Sequence, residues 1–362
     1  MKVLKFPSVF LMFFVFFTSF ACKENIDSLV LGPGVSYDYK NTRLAAGKRF
    51  DGEAVFTTGQ IETIKGVYGN NRDYKNVNQE LDFTFMAPER SLDTLSRRPF
   101  ILLMHGGGFT RGSHTSLEGI TRSFAVRGYA AATIEYRLGF NPGAIPCLNG
   151  DSIEVLKAVY RATQDANAAL RYFVKNADEM GIDTAQIFLF GSSAGNVIST
   201  SVLYNSQDFY DSKIPNLQAT MGRLDNAGNT ISASFNIKAE LTVTGYGLMN
   251  RSLITHKNAR PAFYMQGSND NTLPINYGPA LQCPIGAYGH TFGSNIAVEI
   301  LEKLKLPYAQ YVAEGASHDI SAIYPGTFYV PVMAAFIKRL WKGDYRQITY
   351  KNLTQTRNEK IQ

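Results

Sequence analysis

Residues 186–195 read Gln186-Ile187-Phe188-Leu189-Phe190-Gly191-Ser192-Ser193-Ala194-Gly195. A short, almost wholly apolar run closed by glycine fits a strand buried on both faces. Ala194 to Tyr204 then reads as a helix. The chain must therefore turn from strand to helix within a very tight bend. Such a bend tolerates only small neighbours, here Gly191, Ala194 and Gly195, and it lifts the side chain at its tip, Ser193, out of the packed layers. Ser192 reads as structural. The same letters can arise in a glycine-rich turn with a helix-capping serine, so what surrounds them decides their meaning.

The alternation continues on both sides. Phe100 to Met104 (FILLM) is a second buried strand, followed by Gly106, Gly107 and Gly108. A helix is expected over 116–127 and a strand over 129–136. Val155, Val159, Ala162, Ala166, Ala169 and Phe173 recur at helical spacing and predict a long amphipathic helix over 152–176. Strands are expected at 238–243, 262–266 and 307–312, and helices at 296–304 and 331–341. Upstream, 61–68 and 81–86 are strand-like and separated by an Asn/Asp-rich loop, an antiparallel pair. Buried strands alternating with helices predict an α/β fold, with a mostly parallel central sheet, helices on both faces and an N-terminal antiparallel edge hairpin. No linker divides this region, which sets one domain at 51–345, a leader or tether at 22–50 and a C-terminal tail at 346–362.

The first 21 residues stand apart. Lys2 and Lys5 precede the apolar run Phe10 to Phe17, which is too short for a membrane span and reads as a signal peptide. Small residues before Cys22 resemble the lipobox of bacterial lipoproteins, although Ser19 stands where that pattern prefers leucine. The expectation is lipidation of Cys22 and export to the outer membrane or cell surface. Ordinary cleavage, giving a periplasmic or secreted protein, and an uncleaved anchor are the alternatives. Two further cysteines, Cys147 and Cys283, fall in loops; a bridge and two unpaired thiols are both open. The net charge is +6, and loss of Lys2 and Lys5 leaves 34 basic against 30 acidic side chains. No stripe of Lys or Arg marks a nucleic-acid partner.

A serine hydroxyl needs a base, a group that orients the base, and donors for an oxyanion. His105-Gly106-Gly107-Gly108, directly after a buried strand, can bring backbone N–H groups close to a ligand. Taken together, RPFILLMHGGGF, RGYAAATIEYRLG and GSSAG resemble successive blocks of the carboxylesterases and lipases of the α/β-hydrolase superfamily, of the HGGG type. The likeness runs over about residues 80–340. It implies a Ser, Asp or Glu, His order along the chain, with the N–H groups of Gly107, Gly108 and Ala194 as an oxyanion hole. The family's acid pattern matches Gly267 to Pro274 at Asp270. Its base follows the last strand, which selects His318 among five histidines and leaves His290 as the fallback. His105 reads as a loop organiser. Asp319 is too near His318 in sequence to hold its ring.

The reaction so implied is hydrolysis of a carboxylic ester through an acyl-enzyme, without cofactor or metal. No metal-ligand spacing, phosphate loop or dinucleotide fingerprint occurs. The substrate would be an ester of small-molecule or polysaccharide-linked type, met by walls from loops 138–151 and 277–291. Acetylated or feruloylated polysaccharide, short acyl esters and polyester are all open, as is oligomeric state. The rivals are a peptidase or polyester depolymerase on the same fold and, from another class, a non-catalytic surface binding protein.

Overall fold

The structure, a computed structural model, describes residues 39–352. The signal peptide, Cys22 and the last ten residues lie outside the described residues. Eleven strands and nine α-helices follow in order among the described residues. Helix α1 (Thr42–Ala45) precedes β1 (Ile61–Arg72), β2 (Asn78–Pro88) and β3 (Arg98–Met104). Next come α2 (Glu118–Ala125), β4 (Ala130–Ile134), α3 (Ser152–Lys175), α4 (Ala177–Met180), β5 (Ile182–Ser192) and α5 (Ala194–Tyr204). Two short helices, α6 (Gln207–Asp211) and α7 (Leu217–Met221), lead to β6 (Ile237–Val243) and β7 (Ala262–Gly267). A small hairpin of β8 (Tyr277–Pro279) and β9 (His290–Phe292) comes before α8 (Ser294–Lys303), β10 (Tyr308–Ala313), α9 (Gly326–Trp341) and β11 (Gln347–Lys351).

Nine strands form the main sheet in the order β1-β2-β4-β3-β5-β6-β7-β10-β11. β1 pairs antiparallel with β2, and β2 with β4; every pairing from β4 to β11 is parallel. The sheet is buried because its strands present apolar side chains to both faces. In β3, Phe100, Leu102 and Met104 join one core with Val159, Ala166 and Phe173 of α3. Ile101 and Leu103 face the other core, with Phe124 of α2 and Met333 and Ile337 of α9. Truncating a side chain such as Phe100 to alanine would cost roughly 3–5 kcal/mol.

Four details differ from the sequence expectations. The helix expected over 116–127 begins as a 3-10 turn, His114–Leu117, capped by Ser113, before α2. Helix α9 starts five residues before Pro331, so the proline sits inside it and one backbone donor is lost there. The region set apart as a tail contributes β11, which pairs in register with β10 from Tyr308↔Gln347 to Val312↔Lys351. The leader is anchored over its last dozen residues. Leu44 and Phe50 are buried, and the Phe50 ring meets Tyr129 and Trp341 edge-on at 5.0 and 5.6 Å. Lys338 Nζ donates to the carbonyls of Gly47 and Arg49.

Candidate active site

Parallel strands leave their C-terminal ends together, so the loops after β3, β5, β7 and β10 gather at one edge of the sheet. Each supplies one part of the site. After β5, Ser193 adopts φ 52° and ψ −115°, a left-handed conformation that a non-glycine residue holds only under constraint. The constraint is visible in its neighbour: a Cβ on Gly195 would run into the Met104 carbonyl oxygen of β3. Ser192 turns away and shares a hydrogen bond with Thr244 Oγ1 at 3.0 Å.

His318, in the loop after β10, lies 2.7 Å from Ser193 Oγ through Nε2 and 2.9 Å from Asp270 Oδ2 through Nδ1. Asp270, in the loop after β7, has a fully buried carboxylate. Its Oδ1 accepts the N–H groups of Thr272 at 2.8 Å and Leu273 at 3.0 Å, which fixes its direction. A carboxylate can only accept, so Nδ1 carries a proton and Nε2 is left to accept from the Ser193 hydroxyl. Three side chains 48 and 125 residues apart are thus joined in one hydrogen-bonded line.

The loop after β3 arches over Ser193. A Cβ on Gly106 would stand 3.0 Å from Ser193 Cβ, so this loop is in contact with the bend. Gly107 and Gly108 have φ of 119° and 60°, a turn no side chain would favour. Their N–H groups, and that of Ala194 at the start of α5, bond no acceptor among the described residues. The Gly107–Gly108 loop and the N-terminus of an eleven-residue helix suit a developing negative charge.

His105 is fully buried and stacks on Tyr136 at 4.3 Å. Its Nδ1 meets the Gly106 carbonyl at 2.7 Å and its Nε2 meets Glu135 Oε1 at 3.3 Å. Glu135 also accepts from the N–H and the Nδ1 of His114, at 3.1 and 3.0 Å. Burial alone would push the Glu135 carboxyl up; the bonds from His105 and His114 outweigh it and hold the group well below the usual carboxylate range. Neither Glu135 nor His114 was singled out in the sequence. The one signal was the position of Glu135 directly after a buried strand, within the EYRLG block. His290 stacks on Tyr277, and Asp319 is exposed and accepts the Ser321 N–H. Neither joins the line to Ser193.

Cys147 and Cys283 are bridged, with Cα atoms 5.4 Å apart. The bond ties loop 138–151 to loop 277–291. The Tyr288 hydroxyl reinforces it by accepting the Cys147 N–H and donating to the Pro142 carbonyl, both at 2.9 Å. Leu281 and Gln282, just before the bridge, both hold left-handed φ values. Leu281 donates its N–H to the Thr272 carbonyl at 2.7 Å, and its Cδ2 is the nearest atom to where a Cβ of Gly108 would be, at 3.9 Å. Among the described residues, no group of three or more His, Cys, Asp or Glu could hold a metal ion, and no helix is long and apolar enough to cross a membrane.

The BD-FAE family model matches residues 90–254. The chain is similar to Esterase LipI of Mycobacterium tuberculosis, with 29% identity over 114 residues, a segment that spans 30% of this chain and 30% of that protein. Among solved structures it is similar to Thermogutta terrifontis esterase 2. The butyrate-bound form superposes with a TM-score of 0.51 at 18% identity, covering 79% of this chain and 96% of that one. The propionate-bound form gives 0.50 at 18% identity, with 80% and 97% covered.

Proposed function

We propose that this chain, which has the α/β-hydrolase fold, is a serine carboxylic-ester hydrolase working through an acyl-enzyme. The observation that carries this reading is the line Ser193–His318–Asp270, with distances of 2.7 and 2.9 Å. Ser193 Oγ attacks the ester carbonyl carbon while its proton passes to His318 Nε2. The carbonyl oxygen becomes an oxyanion, and the N–H groups of Gly107, Gly108 and Ala194 stabilise it. His318 then gives the proton to the departing alkoxide, which leaves as the alcohol. Water, deprotonated by the same nitrogen, attacks the acyl-enzyme and returns Ser193 to its free form. Asp270 holds the ring in the required tautomer and stabilises its cation without taking the proton.

The N-terminal sequence supports export, with lipid on Cys22 as a tie to a membrane. The Cys147–Cys283 bridge supports an oxidising destination as well.

A fluorophosphonate probe and a chain-length series of nitrophenyl esters test the activity. The wild type is expected to label at Ser193 and turn over esters, and Ser193→Ala to lose all but about a millionth of that rate. Equal turnover by the two proteins would reject the assignment. A folded wild type that neither labels nor hydrolyses would favour a non-catalytic binding protein.

A further inference from the structure

A half-open cavity of about 510 Å³ lies between the β1–β2 turn and residues 220–228, outside the line to Ser193. Two guanidinium groups help line it, and their situations differ. Arg137 is fully employed. It pairs with buried Asp165 and bonds Gln164 Oε1 and the carbonyls of Arg72 and Arg161. Arg161 is only 6% exposed, yet it makes no ion pair among the described residues. Its guanidinium makes one hydrogen bond there, from Nη2 to the Gly139 carbonyl at 2.7 Å, and its Nε is buried with no acceptor. Burial, and then repulsion from Arg137, pulls its pKa down to about 10. A neutral amide would serve to hold one carbonyl. No carboxylate pairs directly with this buried cation, and Glu154, Asp165 and Asp73 offset its cost only in part from farther off, so a bound anion would lower that cost further.

The rest of the cavity leans the same way. Arg72 is exposed and gives Nη1 to Asn76 Oδ1 at 3.1 Å. Asp73, which also lines the cavity, spends Oδ1 on the N–H groups of Lys75 and Val77. Tyr74 is 41% exposed and its ring abuts Gly139, while the amides of Asn71 and Asn76 line the same opening. A flat apolar ring with amide donors suits a pyranose, and the guanidinium groups suit a carboxylate on it. The cavity is linked by hydrogen bonds to the loop that follows Gly108. The Gly139 carbonyl accepts from Arg161, and the Gly139 N–H donates to the carbonyl of Phe109, the residue after Gly108.

We propose that this cavity is a subsite for a carboxylate-bearing sugar unit of the substrate, with Arg161 and Arg72 facing the carboxylate. The proposal rests on the esterase reading and narrows its substrate to esters carried on an acidic polysaccharide.

The test separates binding from catalysis. The full chain with Ser193→Ala is titrated with a galacturonate trimer and, in parallel, a xylose trimer, free acetate and inorganic phosphate. The acidic trimer is expected to bind, more weakly as salt rises, and the neutral trimer at least tenfold more weakly. Adding either Arg161→Gln or Arg72→Gln should raise the acidic trimer's Kd at least tenfold. In the Ser193-containing proteins, both substitutions should lower kcat/KM for acetylated polygalacturonate relative to nitrophenyl acetate. Arg72 bonds nothing near Gly108, so its variant keeps the test valid if Arg161→Gln fails to fold. Equal binding of the two trimers overturns the proposal, as does an acidic-trimer affinity indifferent to both substitutions. Binding of free acetate or phosphate as tight as that of the trimer would mean a small-anion site and overturn it too. Loss of the esterase reading would show separately, as a wild type that fails to label with fluorophosphonate.

Discussion

Replacing Glu240 with glutamine should make the protein more stable in mild alkali and leave it unchanged in acid. Glu240 lies in β6 and is fully buried. Its Oε1 accepts from the hydroxyls of Tyr246 at 3.1 Å and of Tyr204 and Tyr264 at 3.4 Å, and its Oε2 has no partner. Burial raises its pKa from 4.5 to about 7 against the opposing pull of the three hydroxyls. The folded state therefore binds this proton more tightly than the unfolded chain does. The resulting stability is fully present below pH 4.5 and is lost as pH climbs to about 7. At about 1.4 kcal/mol per unit, the loss comes to about 3 kcal/mol. Glutamine keeps the shape and the acceptor oxygen and cannot ionise. Urea unfolding of both proteins from pH 4 to pH 8 checks this. The profiles should coincide near pH 4 and diverge above pH 5, reaching up to about 3 kcal/mol, or roughly 5 °C in Tm. Profiles that stay parallel across the range would refute the reasoning, because the carboxyl would then titrate alike in both states.

Two further outcomes follow from the site. Glu135→Gln keeps an acceptor but removes the charge that His105 and His114 share, so the Gly106–Gly108 loop should lose definition. Steady-state kinetics should show kcat falling about 10- to 100-fold with KM little changed, as for damage to an oxyanion donor. The folded pKa of Glu135 lies below its unfolded value, so the native protein should also lose, as pH drops below 4.5, a stabilisation that the variant lacks from the outset. Cys147→Ser, or reduction of the wild type, should lower unfolding free energy by as much as about 5 kcal/mol on the chain-entropy model for a 136-residue separation. Denaturant titration with and without reductant measures it, and an unchanged midpoint would mean that the loops stay docked unaided.

The sheet was legible where sequence and burial speak the same language. FILLM and QIFLF are apolar at every position because both faces of their strands are covered, and the bend at Ser193 left its mark in the small residues it needs. Asp270 and His318 were a different matter. By composition alone neither stands apart from a turn aspartate or a surface histidine; the acid pattern implied by the resemblance singled out Asp270, and the position after the last strand singled out His318. Glu135 and His114 went unseen because a buried polar cluster carries no periodicity. Strand β11 went unseen because Gln347, Thr349 and Lys351 alternate with Ile348 and Tyr350 at the sheet's edge, where polar residues are affordable and the pattern fades. Phe50 was assigned to a loose leader although its ring is 2% exposed against Trp341, a partner 291 positions away along the chain. The Cys147–Cys283 bridge stayed open because the distance between two loops is a property of the fold, not of spacing.

The covalent ring closed by Cys147 and Cys283 contains Ser193 and Asp270 but not His318. A single cleavage of the backbone between the two cysteines therefore cannot release either fragment while the sulfurs remain joined. A nick at an exposed position such as Asn226, between the two cysteines, is therefore a tolerable wound. The severed pieces stay tethered beside one another, and the nucleophile keeps its neighbours.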